Sequence, residues 1–200
     1  MSFARRWAVA LAGATALGIL SLLADITSPA QLSGQQNMWL FIRWSVSKLL
    51  SAGTVWAAVG YLAGALVRRR PWAVVAGVLT SECALAAHYV FGMALGQFDA
   101  TVWADNWLWF PVAAIAGAVL GLLGAVATGR GRAAFLLRFV LPLGAIIEPV
   151  EQGFFRPSQH FSWPDQWSSV VCGTVLWIAA AVAVVVILRH GPGSGVRTPV

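Results

Sequence analysis

The chain has 200 residues, of which 59% are hydrophobic and 10% are charged, and its formal net charge is +6. A water-soluble domain carries about 25% charged residues, so this composition excludes a soluble globular protein and predicts an all-α integral membrane protein. The basic residues lie mainly at the ends of apolar segments, which is typical of membrane topology signals and not of a nucleic-acid-binding surface.

Apolar segments that are long enough to cross a bilayer occur six times along the chain. The predicted spans are residues 7–26, 51–67, 72–96, 107–128, 133–155 and 167–188, followed by a flexible tail at residues 189–200. Residues 39–50 carry Arg43 and Lys48 and are predicted to form an interfacial amphipathic segment leading into the second span. A secretory signal peptide competes for the first segment, but a length of about 20 residues favours a retained helix.

The basic residues are distributed unevenly between the two sides of this predicted bundle. If both termini lie on one side, that side holds nine Arg residues, and the other holds only Arg43, Lys48 and Arg156. Cytoplasmic loops are enriched in Lys and Arg, so both termini are predicted to be cytoplasmic. The predicted location is the bacterial cytoplasmic membrane.

Three glutamates within the predicted spans are the predicted catalytic residues. Glu82 lies near the middle of the third span, and Glu148 and Glu151 lie three residues apart on one face of the fifth. A charged carboxylate at the bilayer centre costs at least roughly 2.5–3.5 kcal/mol, so such residues usually face a bundle interior or a wet cavity. Two structural roles stay open: a hydrogen bond from Glu82 to a neighbouring helix, and an ion pair between Glu151 and Arg156.

Aromatic side chains accompany these acids toward the same end of the bundle. Tyr89 lies seven residues after Glu82 and therefore shares its helix face. An aromatic ring face stabilises a nearby cation by roughly 0.5–2 kcal/mol. Many of the tryptophans are alternatively explained as interfacial belts. The predicted substrate-binding residues are Tyr89, His88, Asp105, Trp107, Trp109 and Phe155.

The motifs of several other enzyme classes are missing from the sequence. There is no GxSxG, Walker, HExxH or DDxxD motif, and the three His residues are widely separated. No metal and no cofactor are predicted, and magnesium-dependent ionisation of a prenyl diphosphate is disfavoured. Cys83 and Cys172 lie in apolar segments without a paired spacing, so both are predicted to be free thiols.

Three local features support a resemblance to a known family. They are Ser28-Pro29 after the first span, the basic turn at residues 64–70, and Trp109-Phe110-Pro111-Val112 at the opening of the fourth. The chain resembles a family of small polytopic bacterial membrane proteins, which is similar to the membrane-bound terpene cyclases of drimentine-type indole-terpenoid pathways. The resemblance implies proton-initiated, metal-independent cyclisation of a prenyl chain on an indole or similar acceptor, with a pathway prenyltransferase as a partner. It assigns no catalytic residue.

These features lead to one principal hypothesis and two alternatives. In the principal hypothesis Glu82, with Glu148 as its partner across the bundle, protonates an apolar prenylated substrate that enters from the lipid bilayer. In the first alternative the same acids bind protons or cations in a small coupled transporter, although no internal repeat is present. In the second, the chain is a structural or immunity membrane protein whose acids only pair helices. None of the three involves nucleic acid.

Overall fold

The structure is a computed structural model that describes residues 1–158 and 160–191, and every regular element in that part of the chain is helical. The elements are α1 (Phe3–Asp25), α2 (Pro29–Leu32), α3 (Asn37–Leu50), α4 (Gly53–Val67), α5 (Arg70–Ala94), α6 (Val102–Asp105), α7 (Trp109–Ala127), α8 (Arg132–Leu137), α9 (Val140–Glu151) and α10 (Trp163–His190). The predicted all-α class is therefore confirmed.

Five segments of the described chain are long and apolar enough to cross a bilayer. They are α1, α5, α7, α10 and the consecutive helices α8 and α9, which together cover Arg132–Glu151. The helices α3 and α4 form a bent pair that makes a sixth candidate span. A multi-pass membrane protein is thus confirmed, whereas the orientation of the termini and the membrane it occupies stay predictions.

The second span agrees with its predicted bounds, but the segment before it differs from the prediction. α4 has 15 residues and is about 22 Å long, which is short of the roughly 30 Å hydrocarbon core. α3 precedes it across a bend of 42°. α3 packs against α1 and α10, so residues 39–50 belong to the bundle rather than to an interfacial segment. Arg43 and Lys48 are accommodated there because both find polar partners on neighbouring helices.

The ends of other spans also shift. The fifth predicted span ends with α9 at Glu151 instead of at residue 155, because residues 152–155 form turns. Gly153 takes a φ of 66° there, which glycine adopts without steric cost. Arg189 and His190 are the last residues of α10 and not part of a tail. The remainder of the predicted tail, residues 192–200, lies outside the described residues. Cys83 and Cys172 are free, as predicted.

Four helices, α1, α4, α5 and α7, pack so closely that their backbones nearly touch, and we call them the glycine-packed core. A Cβ atom on Gly64 would lie 1.9 Å from the carbonyl oxygen of Gly121, and a Cβ atom on Gly121 would lie 2.2 Å from that of Ala73. Small residues allow this approach, and in lipid close packing is a main source of helix association.

The helices α3, α9 and α10 lie beside this core, and we call them the polar-joined layer. Lys48 on α3 forms an ion pair of 2.6 Å with Asp165 on α10, and its Nζ also donates to Ser169 Oγ at 2.7 Å. Trp177 Nε1 on α10 donates to the carbonyl oxygen of Ile146 on α9 at 3.0 Å. Directional polar contacts thus link the helices of this layer to one another.

The two ends of the bundle are named after residues of α1. At the Arg6 end, Arg6 Nη1 donates to the carbonyl oxygen of Leu66. Arg138 binds the carbonyl oxygens of Ala127 and Gly129 at the same end. The Asp25 end holds the starts of α7 and α10 and the end of α5.

Candidate functional site

A cavity of about 620 Å³ opens within the glycine-packed core toward the Asp25 end. Small-molecule sites commonly have volumes of about 300–1,000 Å³. Its floor is the point where α4, α5 and α7 cross: a Cβ atom on Gly60 would lie 3.3 Å from both Gly117 Cα and Ser81 Oγ. Trp109 lies two turns from Gly117 on α7, toward the Asp25 end, and lines the outward-facing part of the cavity.

The walls of the cavity are mainly apolar and aromatic. The α7 wall is a stripe of side chains at helical spacing, formed by Trp109, Val112, Ala113, Ala116 and Leu120. The aromatic rings are those of Trp56, His88, Tyr89 and Trp109. The polar lining consists of Asp25 and three serines: Ser21, Ser51 and Ser81.

Asp25 is the acidic residue of this lining, and α3 holds it in place. Ser47 Oγ donates to Asp25 Oδ1, and Arg43 Nη2 donates to the Asp25 carbonyl oxygen at 3.0 Å. Of the described residues, no Lys or Arg lines the cavity. The lining therefore combines a carboxyl group with aromatic faces, and such faces favour a positively charged group. Asp25 itself is exposed and has the Arg43 guanidinium beside it.

His88 is the second titratable group of the cavity lining, and its imidazole ring is suited to proton transfer. Its Nδ1 atom is buried and has no hydrogen-bond partner within the described chain. The ring centroid lies 6.2 Å from that of Trp56 and 5.6 Å from that of Tyr89, both in edge-to-face geometry. The aromatic neighbours thus fix the imidazole without occupying this nitrogen.

Tyr89 is the centre of an aromatic cluster that joins α5 to the loop containing α6 and to α7. Its ring centroid lies 5.8 Å from Trp103, 6.0 Å from Phe110 and 6.1 Å from Phe98. Such contacts are worth roughly 0.5–1.5 kcal/mol each beyond area burial. The cluster braces the wall that carries His88 and Tyr89.

Three of the six predicted substrate-binding residues, His88, Tyr89 and Trp109, are brought together by the structure in this cavity. The other three lie elsewhere. Asp105 accepts a hydrogen bond of 2.9 Å from Thr101 Oγ1 in the preceding turn, and Trp107 is 65% exposed. Phe155 packs on Trp177, at a centroid distance of 4.4 Å, in the polar-joined layer.

The three predicted catalytic glutamates do not converge. Glu82 is half-buried, its Oε1 atom has no partner among the described residues, and it does not line the cavity. Glu148 lies behind the cavity wall and accepts hydrogen bonds from the backbone of Gly53 and Thr54. Glu151 is exposed and forms no ion pair with Arg156. The predicted pairing of Glu82 with Glu148 is not formed: Glu148 binds the backbone of α4, and Glu82 Oε1 has no partner among the described residues.

Several cavity residues were missed by sequence reasoning, above all Asp25 and Trp56. Asp25 ends the first apolar segment, so it resembled a span boundary rather than a functional acid. The predicted second span begins at Ser51 and therefore already contains Trp56. Its sequence pattern does not show that this part of the helix lines a cavity.

No protein-family model, no curated protein and no solved structure matches this chain. In residues 1–158 and 160–191, no group of three or more His, Cys, Asp or Glu residues is arranged to hold a metal ion.

Proposed function

We propose that the protein is a membrane-bound terpene cyclase that folds a prenyl chain, attached to an indole or similar acceptor, inside this cavity. The observation that carries the proposal is the lining itself: a carboxyl group, an imidazole and aromatic walls surround one space, and no Lys or Arg is among the described lining residues. Cyclisation through carbocations needs an acid, a base and faces that stabilise positive charge.

Asp25 is the proposed proton donor, in place of Glu82, because it is the carboxylic acid that lines the cavity. Its proton forms a C–H bond at the terminal alkene and leaves a carbocation on the adjacent carbon. The next alkene attacks this cation, so that a C–C bond forms and the charge moves along the chain. His88 then accepts a proton from a neighbouring carbon and the last alkene forms. One proton enters and one leaves, so the product is an isomer of the substrate.

The aromatic walls serve the cationic stages of this sequence. Trp56, Tyr89 and Trp109 present rings to the space in which the charge moves, each worth roughly 0.5–2 kcal/mol to a nearby cation. On α7, Trp109 is 58% and Val112 is 45% exposed. This part of the wall faces outward, which supports entry of an apolar substrate from the lipid phase.

Transport of an organic cation is a second candidate, favoured by the bent α3–α4 span. Transporter sites are often formed by discontinuous helices near the middle of the membrane, and Ser51 and Gly53 at this bend line the cavity. The two candidates differ in outcome: a cyclase converts its ligand into an isomer, whereas a transporter releases it unchanged on the other side.

Incubation of membranes containing the protein with a farnesylated indole tests the proposal. Mass spectrometry after chromatography should detect a cyclised isomer of the substrate. Asp25→Asn should lower its rate of formation at least about 100-fold, since general acid catalysis contributes roughly 10²–10⁴-fold. Asp99→Asn is the matched control: Asp99 is exposed, contacts Thr101 in its own loop and does not line the cavity.

Three results would contradict parts of this proposal. If the wild-type protein forms no isomer of the substrate, the proposed cyclase activity is wrong. Uptake of a lipophilic amine into vesicles containing the protein would then favour transport. A normal rate for Asp25→Asn removes Asp25 as the donor. Loss of activity in Glu82→Gln with retention in Asp25→Asn would return the donor to the residue that the sequence predicts.

A further inference from the structure

The bend between α3 and α4 lies at membrane depth, where exposed backbone is costly. Ala52 is only 4% exposed and belongs to a buried cluster with Ala145 and Cys172. Cys172 is nine residues into α10, which places this level about 13 Å below the start of that helix. Irregular backbone at such depth is tolerated where it is buried in protein or lines a water-filled cavity, and Ser51 and Gly53 line the cavity described above.

Most backbone N–H groups at the bend are satisfied by the chain immediately around them. Ser51 N donates to the Ser47 carbonyl at 2.8 Å, and Ala52 N donates to that of Leu49 at 3.3 Å. Val55 N and Trp56 N both donate to the Ala52 carbonyl, at 3.0 and 3.1 Å. The N–H groups of residues 53 and 54 are left without a local acceptor, since Ala52 at the N-cap has no polar side chain.

Glu148 of α9 accepts both of the remaining N–H groups. Gly53 N donates to Oε1 at 2.5 Å and Thr54 N donates to Oε2 at 2.8 Å. The two helices approach closely at a glycine: a Cβ atom on Gly144 would lie 3.2 Å from Thr54 Oγ1. A negative charge at a helix N-terminus is favourable because the helix dipole is positive there.

We infer that Glu148 is a positioning residue, which caps α4 from another helix and thereby holds one wall of the cavity in place. Three residues of that wall, Ser51, Gly53 and Trp56, lie at or just after the bend. Trp56 also crosses the bend, since its Nε1 donates to the Leu50 carbonyl oxygen at 2.9 Å. Without the Glu148 cap, the first turn of α4 would lose two of its hydrogen bonds.

The cap also bears on which ligands the cavity can take. The N-terminus of α4 is a ready anion site in principle, but the chain's own Glu148 carboxylate already occupies it. An anionic ligand therefore has no free helix terminus at this wall, whereas an apolar or cationic ligand does not require one. This consequence rests on the proposed function, while the capping role itself does not.

Hydrogen exchange in detergent micelles tests the capping role directly. In Glu148→Gln one acceptor oxygen is replaced by an amide nitrogen that cannot accept a hydrogen bond. The peptide covering residues 51–57 should then exchange at least tenfold faster at one or two amides. Glu151→Gln is the matched control, because Glu151 is on the same helix and exposed, and it should leave this peptide unchanged.

A second substitution separates capping from a general packing role. Ala52→Ser places a hydroxyl at the N-cap of α4, where serine commonly accepts a hydrogen bond from the second or third N–H of the helix. The double variant Glu148→Gln/Ala52→Ser should recover slow exchange in residues 51–57. Wild-type exchange in Glu148→Gln, or no recovery in the double variant, would overturn the inference.

The same variants report on the cavity if the farnesylated indole is cyclised. Glu148→Gln should raise KM about tenfold, because the cavity wall that binds the substrate is no longer held in place. It should leave kcat nearly unchanged, because Glu148 does not line the cavity. Ala52→Ser should reverse the effect on KM. An equal loss in Glu151→Gln would overturn the positioning role. If the wild-type protein makes no product, the proposed cyclase function fails, and the exchange measurements still decide whether Glu148 is the cap.

Discussion

The glycine-packed core and the polar-joined layer hold membrane helices together by opposite means. In the core, glycines such as Gly64 and Gly121 bring backbones within contact distance, and the stabilising energy comes from many weak contacts. In the layer, charged and polar side chains make a few directional bonds, exemplified by Lys48 with Asp165. Lipid surrounds both regions, so neither gains the hydrophobic driving force that unites helices in water.

The cavity depends on both regions. Its floor is a glycine contact of the core, formed by Gly60 and Gly117. Its polar lining is held from outside the core, since Ser47 of α3 donates to Asp25 and Glu148 of α9 caps the turn at Gly53. Close packing thus creates the space, and directional bonds place the chemical groups within it.

The largest effect is expected from filling a backbone contact in the core. In Gly121→Leu the new side chain would begin 2.2 Å from the Ala73 carbonyl oxygen, so α5 and α7 must separate. Overpacking typically costs about 1–3 kcal/mol, and a backbone clash belongs at the upper end. Unfolding in SDS followed by circular dichroism should show this loss in the free energy of unfolding.

Gly13→Ala is the control for this comparison, because a Cβ atom at Gly13 meets nothing within 4 Å. An Ala in place of an exposed helical Gly stabilises a helix by up to about 1 kcal/mol. Equal destabilisation by Gly121→Leu and Gly13→Ala would show that close packing does not hold the core.

An intermediate effect is expected from removing one partner of the ion pair in the polar-joined layer. Lys48→Met leaves Asp165 without its cation in a site where the two side chains are 24% and 26% exposed. Breaking a fully buried pair costs about 3–5 kcal/mol, and the partial exposure here reduces the expected loss to about 2 kcal/mol. Unfolding in SDS measures it.

A double-mutant cycle with Asp165→Leu should return a coupling energy of at least about 1 kcal/mol, because the stability effects of substitutions within one network are not additive. Hydrogen exchange should increase in α3 and α10 and stay unchanged in α5 and α7. Additive effects of the two single substitutions on the unfolding free energy would contradict a stabilising ion pair. Exchange that rises equally in α7 would show that the two regions are not stabilised independently. Arg156→Gln, at an exposed position, is the surface control.

The smallest effect is expected from a single neutral hydrogen bond in the same layer. Trp177→Phe removes the N–H group that donates to the Ile146 carbonyl oxygen and should cost about 0.5–1.5 kcal/mol. Trp167→Phe is the matched control, since Trp167 is on the same helix and 58% exposed. Equal unfolding energies for the two variants would remove this bond from the contacts that stabilise the layer.

Much of the helical framework could be predicted from sequence. The length of each apolar segment and the basic residues at its ends are properties of that segment alone. The segments around Glu82 and Tyr89 were predicted as one helix, and they form α5. The sequence predicts the boundary at Ser51, but it places residues 39–50 at the membrane interface, because the charges of Arg43 and Lys48 argue against burial. Their partners, the Asp25 carbonyl and Asp165, are distant in sequence, so only folding reveals that the charges are satisfied.

The candidate site was predictable only in part, for a related reason. Helical periodicity places Glu82 and Tyr89 on one face of a helix. It does not show which neighbouring helix packs against each of these residues. Tyr89 and His88 line the cavity, whereas Glu82 does not.

The sequence by itself determined that this protein is an α-helical membrane bundle, because the composition and length of each apolar segment set its preference for lipid. Only the tertiary structure decided which acid lines the cavity and which one caps a helix. Asp25 and Glu148 took these places because the glycine contacts set how the helices cross. The crossing angles, not the local residues, determine what each carboxyl group meets.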